Sequence, residues 1–521
     1  MNKNIRIPII DLFAGPGGLG EGFSSFDNGN VFKILVSAEM DSSAHETLRL
    51  RAFFRILKYK GDSYLTSYYN FCNGSSETPY DLSNLNEWEL AGEEARQIEL
   101  GSIQGNIELN KIIKAASIDH TKPWVLIGGP PCQAYSLVGR SRNQSKTTYI
   151  PEDDPKHFLY KEYLNIIQAY KPSVFVMENV KGILSSKING QKIFHSILKD
   201  LSDPDTALNK TISGYQYNIH SLVTPAYFQP GMDPAKFNAN DFVIRSENYG
   251  IPQARHRVIL LGIRSDILIK PDQLANKPSV KVEDVIRALP KLRSRLSKEF
   301  DTAQTWHAAI SNHLNELLKE SRTTSGLAEL VKELESIKPN LTDNLNFGNL
   351  RHPFEAKKYK KLKSNNNQLN SWFEDHNLKV WLNHETRGHM SSDLRRYIFA
   401  STFAKAYDRS PKGHEDFILS GLRPQHANWE SGKFSDRFRV QLGNKQATTI
   451  TSHISKDGHY FIHPDPTQCR SFTVREAARI QTFPDNYFFL GNRTQQLHQV
   501  GNAVPPLLAN RIASVVKLLL K

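Results

Sequence analysis

A cysteine on a stiff turn is the first residue of this chain that could do covalent chemistry. Cys132 lies in GGPPCQAYS (128–136), directly after the apolar run PWVLIGG. Proline restricts φ, and open α/β sheets bind ligands at the carboxyl ends of their strands. A thiol held there can be a nucleophile where cations or amide dipoles stabilise its thiolate. A free cysteine is more often a small buried apolar side chain, and that is the alternative.

Three other charged residues lie at the ends of apolar runs. Glu178 stands near the end of PSVFVMENV (172–180), where a buried acid is costly unless it has a partner or a role. Arg255 and Arg257 enter the run RVILLGI two residues apart, on one face of a strand. Each could be a surface ion pair. Together with the thiol, however, they place nucleophile, acid and cations at one sheet edge, which favours catalysis.

The first apolar run, IRIPIIDLF, leads into a glycine-rich turn. Gly15, Gly17 and Gly20 satisfy G-x-G-x-x-G between this run and a predicted helix. Glu39 ends the next run, where a carboxylate accepts hydrogen bonds from ribose hydroxyls. The pattern predicts a nucleoside-containing cofactor and leaves open a dinucleotide or S-adenosylmethionine. A purely structural turn with a solvated Glu39 is the alternative.

These side chains meet only if a sheet aligns the ends of their strands. The apolar runs that predict strands are 5–13, 32–40, 123–129, 172–180 and 257–263. Segments 160–170 and 191–201 have helical spacing. Alternation of this kind predicts βαβ units and an α/β fold with a mostly parallel sheet.

At 521 residues, the chain is too long for one ordinary core. We predict a first domain over 1–265, with a loop-rich insertion at about 50–105. Residues 266–440 lack apolar strand runs, have helical patterns and a basic run, and form a second domain or a large insert. Over 441–521 the apolar helical spacing returns.

Composition excludes several classes of protein. Three cysteines without C-x-x-C spacing make neither a disulfide framework nor a zinc site, which indicates a reduced, cytoplasmic setting. We expect no secretory signal, membrane span or bound metal. The net charge of +13 suits a polyanionic partner, although mild basicity also serves solubility.

Six motifs occur in the order typical of the DNA (cytosine-5) methyltransferase family, and the chain resembles its prokaryotic restriction-modification type. They are DLFAGPGGLGEGF, GGPPCQAYS, MENV, QARHRV, VREAARIQTFP and GNAVPPLLA. The resemblance covers 5–40, 105–265 and 437–515. It implies a Rossmann-like S-adenosylmethionine-dependent methyltransferase sheet in a catalytic domain over 1–265, a smaller target recognition domain at 266–440, and a return of 441–521 to the catalytic domain.

The resemblance also implies a reaction. Cys132 would add to C6 of cytosine, and Glu178 would supply a proton or hydrogen bond at N3. Arg257 would hold the base O2, while Arg255 would support the site or the backbone. S-adenosylmethionine would donate a methyl group to C5 of a cytosine flipped out of a specific duplex DNA sequence.

The same resemblance assigns residues to the cofactor. Those assigned are Phe13, Gly15, Pro16, Gly17, Gly18, Glu39, Met40, Asn106, Pro130, Leu159, Asn502 and Val504. Glu39 would take the ribose hydroxyls, and Met40 would lie against the adenine. Asn106 stands where the family usually has an aspartate facing the adenine amino group, and its amide oxygen can still accept.

Three other functions remain open: a transfer-RNA methyltransferase with the same catalytic set, a non-catalytic DNA-binding relative, and a nicotinamide dehydrogenase. We expect the protein to act as a monomer on double-stranded DNA in the nucleoid. A cognate restriction endonuclease would act separately. Segments 384–396 and 420–441 are dense in Arg, His and Asn, the types that read phosphates and base edges. A plain solvated face is their alternative interpretation.

Overall fold

The computed structural model describes residues 6–131, 159–188, 190–424 and 437–520. Its strands are β1 Ile7–Leu12, β2 Phe32–Glu39, β3 Ala95–Gln97, β4 Val125–Gly128, β5 Val174–Val180, β6 Lys187–Ile188, β7 Gln191–Lys192, β8 Tyr217–His220, β9 Tyr227–Phe228, β10 Val243–Arg245, β11 Gln253–Ala254, β12 His256–Arg264, β13 Arg295–Leu296, β14 Gly348–Pro353, β15 Val380–Glu385, β16 Gly388–His389 and β17 Ala447–Thr448. Its α-helices are α1 Gly18–Ser24, α2 Ser42–Lys60, α3 Thr66–Asn73, α4 Leu85–Glu94, α5 Ile103–Ala115, α6 Tyr160–Tyr170, α7 Ile193–Ser202, α8 Pro204–Ala207, α9 Val282–Ile286, α10 Ala303–Thr323, α11 Ala328–Ile337, α12 Ala356–Leu362, α13 Asn367–Phe373, α14 Ser391–Tyr407, α15 Gly413–Asp416, α16 Val474–Ile480, α17 Arg493–Asn502 and α18 Pro506–Leu519. In this described part of the chain, no helix combines the length and apolar character needed to cross a bilayer.

A nine-stranded sheet organises the site. Its order is β3-β2-β1-β4-β5-β12-β8-β9, with β10 also paired to β12. Strands β3, β2, β1, β4 and β5 are parallel neighbours, whereas β12 runs antiparallel to both β5 and β8. All five predicted strands are present in it, which confirms the predicted α/β class. The carboxyl ends of β1, β2, β4 and β5 therefore meet at one edge.

Both faces of the sheet are covered, so its central strands are apolar on both sides. Ile9 and Ile127 pack with helices α1, α16 and α18 on one face. Ile10 and Leu126 pack with α5, α6 and α7 on the other. The last helix packs closely on the first, because a Cβ at Gly22 would collide with Ala509. The two ends of the chain thus lie side by side.

The segment 50–105 was expected to be loop-rich, and that expectation is wrong for most of it. Helices α2, α3 and α4 occupy it, and only 74–84 is a long irregular stretch. Leu50, Phe53, Phe54 and Leu57 have the i, i+3, i+4, i+7 spacing of a buried helix face, a signal that was overlooked. Strand β3 then pairs with β2, so this end of the segment belongs to the main sheet.

The region between β12 and the returning C-terminal chain, 266–440, has its own apolar cluster built around α10, α11 and α14. The helical patterns expected in this region are present, among them α10 and α11. The antiparallel pair β14–β15 was not predicted, since charged and polar residues interrupt its apolar pattern. The domain boundaries at 265 and 440 stay a prediction.

Much of the polar segment 384–396 is buried, which corrects its interpretation as a solvated face, whereas Arg387 within it stays partly exposed. His384 and Arg396 are buried. His384 contacts Thr473 Oγ1 at 3.0 Å, and Arg396 pairs with Asp393 at 2.9 Å. These polar side chains are buried because each finds a partner, in another side chain or in the backbone, inside the fold. Of segment 420–441, residues 425–436 lie outside the described part.

Strand β1 also carries a buried carboxyl group beneath the glycine-rich turn. Asp11 is fully buried, and neither of its oxygens accepts a hydrogen bond of good geometry from a described residue. Burial raises the pKa of Asp11 to about 8, and the nearby Gly20 N–H opposes only a small part of that shift. The folded chain therefore keeps this proton at pH 7, whereas the unfolded chain releases it above its ordinary pKa of 3.8.

We predict that Asp11→Asn removes a pH-dependent cost to folding. From its ordinary pKa up to about 8, the unfolded wild type loses a proton that the folded state retains. The contribution of Asp11 to the free energy of unfolding is thus largest at low pH. Between the unfolded and the folded pKa it falls by about 1.4 kcal/mol per pH unit, and above the folded pKa it stays constant. Urea unfolding of both proteins from about pH 5 to pH 9 measures this difference. A difference between the two proteins that stays constant with pH would contradict the prediction.

Candidate active site

The glycine-rich turn joins β1 to α1 through three residues with positive φ. These are Phe13 at 54°, Gly15 at 57° and Gly17 at 91°. A Cβ at Gly17 would lie 2.8 Å from Leu48, and one at Gly18 would collide with the carbonyl oxygen of Val504. A Cβ at Gly15 would meet nothing within 4 Å, so this side of the turn faces open space. The turn is therefore packed against Leu48 and Val504 on one side, and its other side, at Gly15, is open.

Glu39 holds this turn against the end of β2. Its Oε2 accepts from the Gly15 N–H and its Oε1 from the Asp41 N–H, both at 2.8 Å. Burial raises the pKa of Glu39, while these two N–H groups oppose the shift. Each oxygen retains a lone pair, so the carboxylate can still accept from ribose hydroxyls. Met40 beside it is 60% exposed and offers an uncovered apolar surface.

Asn106 and Leu159 approach each other across one short turn. Asn106 Oδ1 accepts from the Gly101 N–H at 3.1 Å, and its Nδ2 donates to Glu162 Oε2 at 2.9 Å. A Cβ at Gly101 would lie 2.8 Å from Leu159 Cδ2, so Leu159 covers the same turn. The Asn106 amide oxygen is therefore already engaged and has one lone pair left for a ligand.

Glu178 and Arg257 form an ion pair beside the turn that follows β4. Ile259 stands opposite Glu178 across β5 and β12, which puts Arg257 diagonally on the same face. Arg257 Nε lies 2.8 Å from Glu178 Oε1, but its N–H is not directed at that oxygen. A Cβ at Gly129 would lie 3.2 Å from Glu178 Oε2, so the turn touches this carboxyl group. This edge of the sheet therefore carries a carboxyl group, from Glu178, and a positively charged guanidinium group, from Arg257.

Pro130, one residue further along that turn, is buried. Cys132 lies outside the described residues, and its predicted role stays a prediction. The described part of the turn nevertheless runs from β4 directly past Glu178. The proline–cysteine motif therefore leaves the sheet at the edge that carries the carboxyl group and the arginine.

Arg255 lies deeper than Arg257 and joins the sheet to the C-terminal chain. Its Nη1 donates to Ile450 O at 2.9 Å and to Gly501 O at 3.2 Å. Burial, and then the positive charge of Arg257, lower the pKa of Arg255 well below its usual range. Of the two roles expected for Arg255, support of the site and support of the backbone, these contacts match support of the backbone.

The C-terminal motif GNAVPP closes the turn from the far side. Val504 is buried and its carbonyl contacts Gly18, whereas Asn502 is exposed and its Nδ2 lies 3.2 Å from His498 Nδ1. The Tyr487 hydroxyl donates to the Pro16 carbonyl. Arg475 is fully buried and donates to three backbone carbonyls, which gives it a structural role.

Comparison with known proteins shows what kind of site this is. The family described as C-5 cytosine-specific DNA methylase matches residues 96–212 and 232–518. A type II methyltransferase of Bacillus paralicheniformis is 32% identical, covering 98% of each chain. One from Desulfomicrobium norvegicum is 25% identical over 97% of this chain and 87% of its own. A type II methyltransferase of Thalassovita gelatinovora is 25% identical, and the match covers 98% of each chain. The chain belongs to the C-5 cytosine-specific DNA methylase family.

In this DNA methylase, the fold brings the predicted site residues to one edge from distant parts of the chain. The glycine turn, Glu39, Glu178 and Arg257 come from four different strand ends. Among the described residues, no group of three or more His, Cys, Asp or Glu side chains is arranged to hold a metal ion. The described part of the edge presents the carboxyl groups of Glu39 and Glu178, the Arg257 guanidinium and backbone amides.

The prediction of the methylase site missed Gln253, which organises the arginine strand. It is fully buried, its Oε1 accepts from the Ile450 N–H at 2.6 Å, and its Nε2 donates to Gln481 at 2.7 Å. Gln481 in turn donates to Val500 O at 2.8 Å. Gln253 opens the QARHR motif, so its place beside Arg255 was the available signal.

Proposed function

We propose that this methylase transfers a methyl group from S-adenosylmethionine to C5 of a flipped-out cytosine in a specific duplex DNA sequence. The observation that carries the proposal is the Glu178–Arg257 ion pair, which borders the turn leading to Cys132. The glycine-rich turn held by Glu39 lies at the same sheet edge. The Glu178 carboxyl group, the Arg257 guanidinium and the proposed cofactor seat thus share one edge, which the turn leading toward Cys132 also borders.

The residues at the glycine-rich turn fit S-adenosylmethionine. Gly15 faces open space, Glu39 has free lone pairs for ribose hydroxyls, and Met40 offers an exposed apolar surface for adenine. We also assign Phe13, Pro16, Gly17, Gly18, Asn106, Pro130, Leu159, Asn502 and Val504 to this seat. When bound, S-adenosylmethionine supplies an electrophilic methyl group on a sulfonium.

The catalytic residues act on the cytosine ring. The Cys132 thiolate forms a bond to C6 while Glu178 supplies a proton or hydrogen bond at N3, so C5 gains the electron density that lets it accept a methyl group. Arg257 holds O2 of the base, and Arg255 keeps this strand tied to the C-terminal chain. Loss of the C5 proton then re-forms the C5–C6 double bond and breaks the bond to Cys132.

Two features support duplex DNA as the substrate. The net charge of +13 favours a polyanion, and residues 266–440 add a long region with its own apolar cluster. The relatives named above are type II methyltransferases, which supports a role in restriction and modification. We propose a monomer that acts apart from a cognate restriction endonuclease.

Bisulfite sequencing of DNA from cells that express the protein tests this function. We expect cytosines within one short recurring sequence to resist conversion, because C5 methylation blocks it. Cells carrying the empty vector are the control. Unprotected DNA, together with incorporation of labelled methyl groups into RNA, would replace the proposal with RNA methylation. Unprotected DNA and unlabelled RNA would indicate a relative that only binds.

A further inference from the structure

Three arginines meet where the recognition region touches the C-terminal chain. This arginine cluster consists of Arg295, Arg387 and Arg493. Strands β13 and β16 are parallel neighbours, and the Arg295 N–H donates to the Arg387 carbonyl at 3.1 Å. Arg493 opens α17 and is surrounded by the charges of Arg387, Glu385 and Arg295. The cluster therefore joins two parts of the chain that are far apart in sequence.

The arginine cluster has too little negative charge around it. Among the described residues, Arg295 pairs with Glu385 at 3.1 Å, and the Arg387 guanidinium donates to the Lys456 carbonyl at 2.6 Å and to no carboxylate. The nearby Asp457 is already within 3.4 Å of Arg437. Within the described residues, three guanidinium groups thus face one carboxylate that is not engaged elsewhere.

Arg493 is the member that lacks a partner. It makes no hydrogen bond or ion pair to a described residue, and its Nε is buried without an acceptor. Burial, and then the charge of Arg387, lower the pKa of Arg493 to about 10. Arg493 as a whole is half-buried, but a buried donor nitrogen without an acceptor is costly unless an anion completes it. The two flanking arginines make that anion's position strongly positive.

The location of the cluster points to the anion. The loop 450–456 contacts Arg255 through the Ile450 carbonyl and contacts Arg387 through the Lys456 carbonyl. Helix α17 runs alongside, from Arg493 to the Gly501 carbonyl that also accepts from Arg255. Its length of 10 residues corresponds to about 15 Å, or roughly four nucleotides along a B-form strand. A DNA strand whose target base enters the active site would therefore reach the arginine cluster.

We propose that the arginine cluster is a seat for one phosphate of the DNA backbone, a few nucleotides from the target cytosine. Guanidinium groups match phosphate oxygens with paired hydrogen bonds, which suits three arginines converging from two sides. The bound phosphate would tie the recognition region to α17 and thereby align it with the catalytic edge. This inference rests on the proposed function, since it takes duplex DNA as the ligand.

Duplex binding by Arg493→Gln tests the phosphate seat. The probe is a fluorescent duplex carrying the sequence protected from bisulfite, titrated between about 50 and 200 mM salt. We expect about tenfold weaker binding near 0.1 M salt and a salt slope smaller by about one. Arg387→Gln should behave alike and covers the case in which Arg493→Gln does not fold. Arg322→Gln is the matched control, because Arg322 is exposed and already pairs with Glu335, outside the arginine cluster.

Neutral methylphosphonates placed one at a time along the duplex locate the phosphate. One position should weaken wild-type binding and have no added effect on Arg493→Gln, because both changes remove the same contact. Salt slopes equal to the wild-type slope in both cluster variants would overturn the seat and leave the proposed function intact. A wild type that neither binds nor methylates duplex DNA would overturn both.

Discussion

Cys132→Ala should abolish methyl transfer to DNA while leaving the binding of S-adenosylmethionine unchanged. Without the thiolate, C6 gains no substituent and C5 stays a poor nucleophile, so the rate should fall on the order of 10⁴-fold or more. The cofactor seat is built by the glycine turn and Glu39, which this change does not touch. Tritium transfer in a single turnover and calorimetric cofactor binding measure the two effects.

The covalent bond itself can be trapped. A duplex with 5-fluorocytosine at the target has no C5 proton to lose, so the bond between Cys132 and C6 should persist after methyl transfer. Wild-type protein should then carry the DNA through a denaturing gel, whereas Cys132→Ala should not. Cys72→Ala is the control, because burial raises the pKa of that thiol to about 12 and keeps it unreactive. Transfer by Cys132→Ala near the wild-type rate would reject the nucleophile.

Glu178→Gln should lower the rate of methyl transfer by about 10²- to 10³-fold at saturating DNA and cofactor. Glutamine keeps the size of the side chain but has no proton to give to N3 of the ring. It also removes the charge that pairs with Arg257 at 2.8 Å, so the guanidinium loses a positioning contact. Single-turnover rates measured across pH separate loss of proton transfer from weakened DNA binding.

Glu39→Gln is the matched control for that change, because both replace a glutamate at the same sheet edge. It should raise the cofactor KM, since Glu39 holds the Gly15 N–H at 2.8 Å, and should leave the rate at saturation close to wild type. The acid role of Glu178 would be wrong if Glu178→Gln raised KM alone and kept the maximal rate.

Elements with a strong local pattern were predictable from the sequence. The five apolar runs became strands of the main sheet, and the segment 160–170 became helix α6 with the same bounds. Buried parallel strands are short, continuous apolar runs, so their own residues identify them. The positions of Glu39, Glu178 and Arg257 at strand ends followed directly from those runs.

Elements held by distant partners were not predictable. Strand β3 has only three residues, too few for a periodic signal, and it exists because β2 offers it an edge. The polar segment 384–396 was interpreted as surface, although its side chains find partners such as Thr473 far along the chain. Sequence pattern alone does not distinguish a solvated polar group from one that is buried and paired.

The sequence by itself determined the fold class, the order of the strands along the chain and the chemistry available at their ends. Only the tertiary structure decided that Arg255 ties β12 to Ile450 and Gly501, and that Arg493 meets Arg295 and Arg387 without a partner among the described residues. The reason is physical. Strand and helix patterns arise from neighbouring residues, whereas the environment of a charge depends on groups that folding brings from anywhere in the chain.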